Sequence, residues 1–192
     1  MKKMLVLAAV LCCTFGLFGA FGDPTPAIIQ PTVGLGADFD GWNQLGISVG
    51  ADVDWNVWEK ATTHAHDGSG KMYAGLDLAF QYWVPTHKDH KGHLMNLPIQ
   101  GNFMYEFDTT QMQGAGPLIA VGPWYSMGVS IDFAASSNKE INDHMDHVDA
   151  SFVWGIGASL AFEGNWVLKA GFGGNAHDGH RDYFMAEAAY RF

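Results

Sequence analysis

The chain has 192 residues, ten of them basic and twenty acidic, and its formal net charge is −10 with neutral histidines. This length suits one domain or at most two, and the acidic excess argues against a nucleic-acid partner, because neutralising phosphates needs clustered Lys and Arg. Both cysteines, Cys12 and Cys13, lie in the first apolar run. If that run is removed, neither a disulfide scaffold nor a thiolate site is available.

The first segment has the pattern of a secretory signal peptide. Lys2 and Lys3 precede an uncharged run from residue 4 to residue 22, which ends in Ala20-Phe21-Gly22. A basic start, an apolar run and small residues at its end predict a signal peptide over 1–22, cleaved after Gly22 or, as second choice, after Ala20. The alternative is an uncleaved helical anchor. Cleavage would leave a mature chain with a charge of about −12.

Beyond residue 22 the chain shows apolar alternation with a period of two, which predicts β-strands. In the clearest segment, Phe152, Trp154 and Ile156 alternate with small or polar residues. Eight such segments predict an all-β fold, an eight-stranded antiparallel transmembrane up-and-down β-barrel. The predicted strands are 33–39, 45–55, 72–82, 95–107, 119–131, 152–162, 166–173 and 183–192. We assign 23–31 to a short N-terminal segment and 32–192 to the barrel domain.

A soluble β-sandwich also alternates, and two features favour the membrane barrel over it. The opposite faces carry Gly, Ser and isolated charges, which suit the narrow interior of a small barrel. Aromatic residues gather at the ends of the apolar faces, as expected of girdles at the two membrane interfaces. These aromatic residues are Trp55, Tyr82, Tyr105, Phe107, Phe133, Phe152, Phe162, Trp166, Phe184 and Phe192.

An even number of strands returns the C-terminus to the side of the N-terminus, which is the periplasm. This predicts periplasmic turns at 163–165 and 108–114, and a long periplasmic connector at 56–70. The outward segments are then 84–94, 134–149 and 174–181, with a short outward turn at 40–44.

Several stretches resemble small outer-membrane β-barrel proteins of the PorT-like and OmpX-like kind. They are Asn96-Leu97-Pro98-Ile99-Gln100, the run from Gly116 to Tyr125, Asp149-Ala150-Ser151-Phe152 with Gly155-Ile156-Gly157-Ala158, and the terminal Tyr190-Arg191-Phe192. The resemblance implies an integral protein of the bacterial outer membrane, with membrane lipid and the barrel-assembly machinery as partners. It implies no catalytic residues.

All nine histidines lie in predicted connectors, and none lies on a predicted strand. Each of three outward segments carries an H-x-x-H spacing with acidic residues nearby. Imidazole and carboxylate together suit Zn²⁺ or Cu²⁺, so these histidines are the candidate metal ligands, although polar loop residues are the simpler interpretation. The candidates are His87, His90, His93, His144, His147, His177 and His180, while His64 and His66 are predicted on the other side. No other cofactor is expected.

Charged residues on the small-residue faces are predicted to point into the barrel, where they need partners. The acidic ones outnumber Lys169 and Arg191, which indicates either a hydrogen-bonded interior network or a proton or cation path. The acidic positions are Asp38, Asp52, Asp54, Asp77, Glu106, Asp132 and Glu187.

The sequence therefore predicts a non-enzymatic outer-membrane barrel whose surface loops serve structural anchoring, adhesion or ligand contact. The alternative is a surface barrel that binds Zn²⁺ or Cu²⁺ through the loop histidines. A third interpretation is a lipid-modifying enzyme, since Ser136 and Ser137 lie near outward histidines, although no His-x-Ser-Asn cluster is present.

Overall fold

A computed structural model of the chain describes residues 27–39, 44–60, 69–85, 92–110, 114, 116–136, 148–176 and 181–192. It contains eight strands in a single closed sheet, each paired antiparallel with its neighbours along the chain. The strands are β1 (Ile28–Asp38), β2 (Gln44–Lys60), β3 (Gly70–Pro85), β4 (Gly92–Asp108), β5 (Leu118–Ser136), β6 (Val148–Phe162), β7 (Trp166–Ala176) and β8 (Arg181–Tyr190). The predicted signal peptide lies outside the described residues.

Pairing between β1 and β8 closes the barrel, from Thr32 opposite Ala189 to Asp38 opposite Tyr183. This closure confirms the eight-stranded up-and-down barrel and excludes the two separate sheets of a sandwich. It also leaves no sheet edge along the paired length, so backbone donors and acceptors are satisfied within the sheet, as a lipid environment requires. Among the described residues, no helix is long and apolar enough to cross a membrane.

Side-chain burial alternates along the strands as the sequence predicts. In β7, Leu168 and Phe172 are exposed while Lys169 and Gly171 are buried. The outer surface carries the large apolar residues and the inner surface carries the polar and small ones. This is the reverse of a water-soluble protein, and it follows from the period of two acting on a sheet that surrounds a polar interior.

The first strand begins earlier than predicted. β1 starts at Ile28, so residues 28–31 lie in the barrel wall and not in a separate N-terminal segment. Pro31 argues against a strand in the sequence because it lacks a backbone donor. The Pro31 nitrogen faces β8 and not β2. Residues two apart in a strand direct their backbone groups to the same neighbour, and the Ile29 carbonyl accepts from Phe192 N. The pairing of Pro31 with Ala51 on β2 is therefore unaffected.

The long connector predicted at 56–70 is also shorter than expected. β2 continues to Lys60 and β3 begins at Gly70, which leaves 61–69 between them. The register of this pair shifts between Asn56 and Trp58. A bulge of this kind adds a residue to one strand and breaks the alternation. The sequence at the end of β2 therefore does not alternate with a period of two.

The predicted turn after β6 is confirmed. Gly164 and Asn165 both have positive φ, 80° and 68°, in the left-handed region that Gly and Asn adopt at least cost. The Asn165 carbonyl also accepts from Arg191 N at 2.9 Å, which ties the end of β8 to this turn.

Candidate functional site: the barrel interior and its two ends

The barrel has two unlike ends. The terminal end carries the start of β1, the end of β8 and the connectors 61–69, 109–117 and 163–165. The loop end is where the connectors 39–43, 86–91, 137–147 and 177–180 join successive strands. The three outward segments predicted to carry histidine pairs therefore all begin and end at the loop end.

Between these ends the outer surface is an apolar band. Many of its aliphatic side chains are more than half exposed, for example Leu35 at 68% and Val33 and Val49 at 60% each. Exposed aliphatic side chains on this scale are costly in water and favourable in hydrocarbon. The outer surface is therefore a lipid-facing one.

Aromatic residues border the band at both ends. At the terminal end, rings pack in contacts between Trp58 and Tyr105, Tyr105 and Phe107, Trp166 and Tyr190, and Tyr190 and Phe192, with centroids 4.5–6.0 Å apart. Toward the loop end, Phe172 packs against Phe39 at 6.5 Å and against Phe184 at 5.7 Å. Two aromatic girdles around an apolar band are the pattern of a barrel that spans a membrane.

The interior of the terminal end is closed by a network centred on Arg191. Its guanidinium makes a two-pronged ion pair with Glu106, with Nη1 3.1 Å from Oε2 and Nη2 against Oε1, and its Nε donates to Gln30 Oε1 at 3.1 Å. Gln30 Nε2 donates in turn to Asp54, and the guanidinium lies 5.2 Å from the Tyr73 ring centre. A guanidinium suits this site because it is planar and can bind both oxygens of the Glu106 carboxylate while it stacks on the Tyr73 ring.

Lys169 carries the second ion pair, at mid-height in the barrel. Its ammonium contacts the Asp52 carboxylate, and both side chains are buried. Asp77 lies directly opposite Asp52 across the β2–β3 pair, and Glu187 lies opposite Lys169 on β8. A single ammonium thus faces several carboxyl groups, and Ser48 Oγ supplies Glu187 with a neutral donor at 3.2 Å.

Aromatic side chains fill the space that the charged groups leave. Trp124 lies inside the barrel, donates through Nε1 to the Ala158 carbonyl at 3.2 Å, and packs with Tyr73 and Met104. Its indole fits against a glycine surface, because a Cβ built on Gly157 or on Gly171 would come within 2.8 Å of its ring atoms. Small residues on one wall therefore make room for a large side chain from another.

Toward the loop end, Asp132 is the centre of a third network. Its carboxylate accepts hydrogen bonds from Ser130 Oγ at 2.6 Å, Ser151 Oγ at 2.5 Å, Asn175 Nδ2 at 3.0 Å and Asn96 Nδ2. In the part of the chain that the structure describes, Asp132 has no ion pair with Lys or Arg. Above this network, buried Trp83 packs against Tyr183 with ring centres 5.2 Å apart.

The nine inward charges predicted from the sequence all lie on the inner face of the barrel, and most are buried. They fall into three groups, and Asp54 interacts electrostatically with both Arg191 and Lys169, which links the first two groups. Arg191 and Glu106 close one end, Lys169 and Asp52 occupy the middle, and Asp132 lies toward the other end. The hydrogen-bonded interior therefore describes these residues better than an open path does.

The candidate histidines fall largely outside the described residues, so their role stays a prediction. His93 is the exception in its backbone: it lies in β4, paired with Ala135, whereas the sequence placed every histidine in a connector. The β3–β4 connector is shorter than predicted because both strands extend past their alternating cores. Among the described residues, no three side chains of His, Cys, Asp or Glu converge as a metal site.

The inward position of several residues was not predicted from the sequence. Trp83, Trp124 and Tyr73 are aromatic yet point inward, toward the face on which the sequence predicted mainly small and polar residues. Gln30 is completely buried but precedes the first predicted strand. Alternation predicts which face a side chain occupies, so the position of each residue in its strand indicated the inner face. Large aromatic side chains are more common on the lipid-facing side of a barrel, so residue size argued for the opposite face.

No family model matches the chain, and no curated protein matches it. Solved structures do match. Neisserial surface protein A has a TM-score of 0.52 at 14% identity, over 88% of this chain and 99% of that one. The outer membrane enzyme PagL has a TM-score of 0.50 at 15% identity, over 84% and 98%. The N-terminal β-barrel domain of Pseudomonas aeruginosa OprF has a TM-score of 0.47 at 15% identity, over 88% and 100%.

The likeness to neisserial surface protein A and PagL concerns the fold, and it agrees with the apolar band, the two aromatic girdles and the polar interior of this chain. The protein is an integral β-barrel of the bacterial outer membrane. At these identities the matches carry no activity or ligand over to this chain.

Proposed function

We propose that this barrel, of the PorT-like or OmpX-like kind, is a non-enzymatic anchor that holds the loop end at the cell surface for adhesion or ligand contact. The filled interior is the observation that carries the proposal. The ion pairs of Arg191 and Lys169 and the indole of Trp124 occupy the lumen at successive heights. An eight-stranded barrel filled in this way is a rigid support, and its variable chemistry lies in the connectors.

Conductance separates this proposal from a channel. The protein reconstituted in a planar bilayer should show no steady ion current, because side chains from opposite walls meet inside the lumen. A stable, ohmic single-channel current would contradict the anchor and favour the cation path. The variant Trp124→Ala is a useful comparison, since the ion pairs of Arg191 and Lys169 should still keep the barrel closed.

The surface role requires the loop end to face outward. Cysteines placed at Ser137 and Gly179 should react with a membrane-impermeant reagent on intact cells, and a cysteine at Gly164 should not. Labelling of the cysteine at position 164 alone would reverse the orientation.

The loop end can then be tested for adhesion or ligand contact. Exchanging the longest loop-end connector, 137–147, for a two-residue turn should abolish binding of the cells to their surface or ligand while the barrel still folds. Exchanging 163–165 at the other end should leave that binding unchanged.

A second candidate function is metal binding by the loop histidines. The hairpin order supports it, because β3–β4, β5–β6 and β7–β8 all turn at the loop end and each turn carries histidines in the sequence. Calorimetric titration with Zn²⁺ or Cu²⁺ at pH 7.5 and pH 5.5 tests it, since protonation of imidazole near pH 6.5 weakens binding. Alanine at His144 and His147 should weaken binding, and alanine at His64 and His66 should not. Equal behaviour of the two variants would leave the histidines as polar loop residues.

The third interpretation, a lipid-modifying enzyme, has less support than the anchor or metal binding. One structure with this fold is that of an outer membrane enzyme and another is that of a surface protein, so the fold is compatible with both roles. Mass spectrometry of outer-membrane lipids from cells with and without the protein tests it. A new lipid species that disappears in Ser136→Ala or Ser137→Ala would replace the anchor with an enzyme.

A further inference from the structure

The middle of the lumen contains more acidic groups than basic ones. The carboxyl groups that interact with the Lys169 ammonium are those of Asp52, Asp54, Asp77 and Glu187. The other inward base, Arg191, is engaged by Glu106 at the terminal end. One ammonium cannot neutralise four ionised carboxylates, and buried charges need partners. The middle of the lumen therefore keeps an excess of negative charge unless some of these groups bind protons.

Two of the carboxyl groups meet directly. Asp52 on β2 and Asp77 on β3 are in register, and both side chains face the lumen. Opposed residues on one face of an antiparallel pair have Cβ atoms about 4.5–5.5 Å apart, and these two carboxyl groups are within hydrogen-bonding contact of each other. We propose that Asp52 and Asp77 share one proton in the folded barrel at neutral pH, which makes the middle of the lumen a proton-binding site.

The contact itself requires a proton. An ionised carboxylate only accepts hydrogen bonds, whereas a protonated carboxyl group has an O–H to donate. Two ionised carboxylates at this separation repel each other, and Asp52 is only 1% exposed, so water does little to screen the repulsion. One proton between the two groups replaces that repulsion with a hydrogen bond.

The neighbours of the pair place the proton on Asp77. The Lys169 ammonium contacts the Asp52 carboxylate and forms an ion pair with it. Among the described residues, Asp77 has no ion pair with Lys or Arg. The remaining neighbours are neutral or acidic, namely Gln30 on β1, Asp54 on β2, Gln100 on β4 and Glu187 on β8. The Asp77 O–H therefore donates to Asp52, which also accepts from Lys169.

A shared proton makes the stability of the barrel depend on pH. In the unfolded chain an aspartate such as Asp77 is ionised above about pH 4. The folded barrel then binds one proton more than the unfolded chain, so stability falls as the pH rises. The fall continues until the folded barrel also releases the proton. With respect to this pair, the barrel is most stable in a mildly acidic medium.

Asp77→Asn tests this dependence, because the amide keeps a donor for Asp52 but cannot titrate. The wild-type protein and the variant are unfolded reversibly in urea from lipid vesicles at pH 5, pH 6 and pH 7. We expect the wild-type unfolding constant to rise relative to that of the variant by up to about tenfold per pH unit. A ratio that is the same at all three pH values would overturn the proposal, because Asp77 would then be ionised in the folded barrel as well.

Infrared spectroscopy detects the proton directly. In D₂O and a detergent without carbonyl groups, the folded wild-type protein at pH 7 should show the C=O stretch of a protonated carboxyl group, separate from the bands of ionised carboxylates. Asp77→Asn should lose the intensity of one such group. Glu106→Gln is the matched control, because Glu106 is also an inward carboxylate but faces the Arg191 guanidinium, so its loss should leave the band unchanged.

The infrared result can refute the shared proton by itself. Absence of the protonated band in the wild-type protein at pH 7, or a band that Asp77→Asn leaves at full intensity, would do so. If Asp77→Asn does not fold, Asp77→Ser takes its place in both measurements, since its hydroxyl also donates and does not titrate in this range.

Discussion

A charged residue placed on the outer face should destabilise the barrel according to its depth in the membrane, and Ile156 is the position to test. Ile156 is on the outer face of β6 and is 52% exposed. The outward Phe152 and Phe162 lie on the same strand face, ten residues apart. At about 3.3 Å per residue and a tilt of about 40°, they are about 25 Å apart along the barrel axis, the usual height of the apolar band.

On this scale Ile156 lies about 10 Å below Phe152 and about 15 Å above Phe162, close to the middle of the band. Arginine at the bilayer midplane of a barrel costs about 2–4 kcal/mol, and near the interface it costs about 0–1 kcal/mol. Ile156→Arg should therefore lower the free energy of unfolding by about 2–4 kcal/mol. The matched control is Val84→Arg, because Val84 is 41% exposed on the outer face but lies one residue from the end of β3. It should cost about 0–1 kcal/mol.

Both variants can be measured by reversible unfolding in urea from lipid vesicles, followed by tryptophan fluorescence. The slope of free energy against denaturant should match that of the wild-type protein, so that the midpoint shift reports stability. Equal costs for the two variants would refute the depth assignment. A neutral Ile156→Arg would refute the lipid-facing outer surface itself.

Three further changes probe the interior with the same assay. Lys169→Met leaves the Asp52 carboxylate buried without its partner and should lower the free energy of unfolding by about 3–5 kcal/mol. Adding Asp52→Asn should recover part of that loss. A double variant no more stable than Lys169→Met would contradict the pairing. Trp124→Ala should cost about 3–5 kcal/mol through the cavity it leaves, and a cost near zero would mean that the indole does not pack inside. Gly157→Ala should cost about 1–3 kcal/mol, because its Cβ would lie 2.1 Å from the Ala170 carbonyl oxygen, and a stable variant would show that these strands are farther apart.

The sequence alone was sufficient for the strand number, the faces of the strands and the class of barrel. Alternation is a local property, because successive side chains of any strand point to opposite faces whatever lies beyond them. Lys169, Asp52 and Arg191 were therefore correctly placed on the inner face. The strand ends were less accurate, since Pro31 and the bulge at Asn56 interrupt the pattern without ending the sheet.

Which inward groups meet was decided by the tertiary structure alone. Lys169 and Asp52 are 117 residues apart, and Arg191 and Glu106 are 85 apart. The contacts across the lumen depend on the register of all eight strands and on which wall has glycines opposite a large side chain, as Gly171 and Gly157 lie against Trp124. The convergence of Asn96 and Asn175 on Asp132 has the same origin. A period of two names the residues that face the interior, but only closure of the barrel brings particular ones into contact.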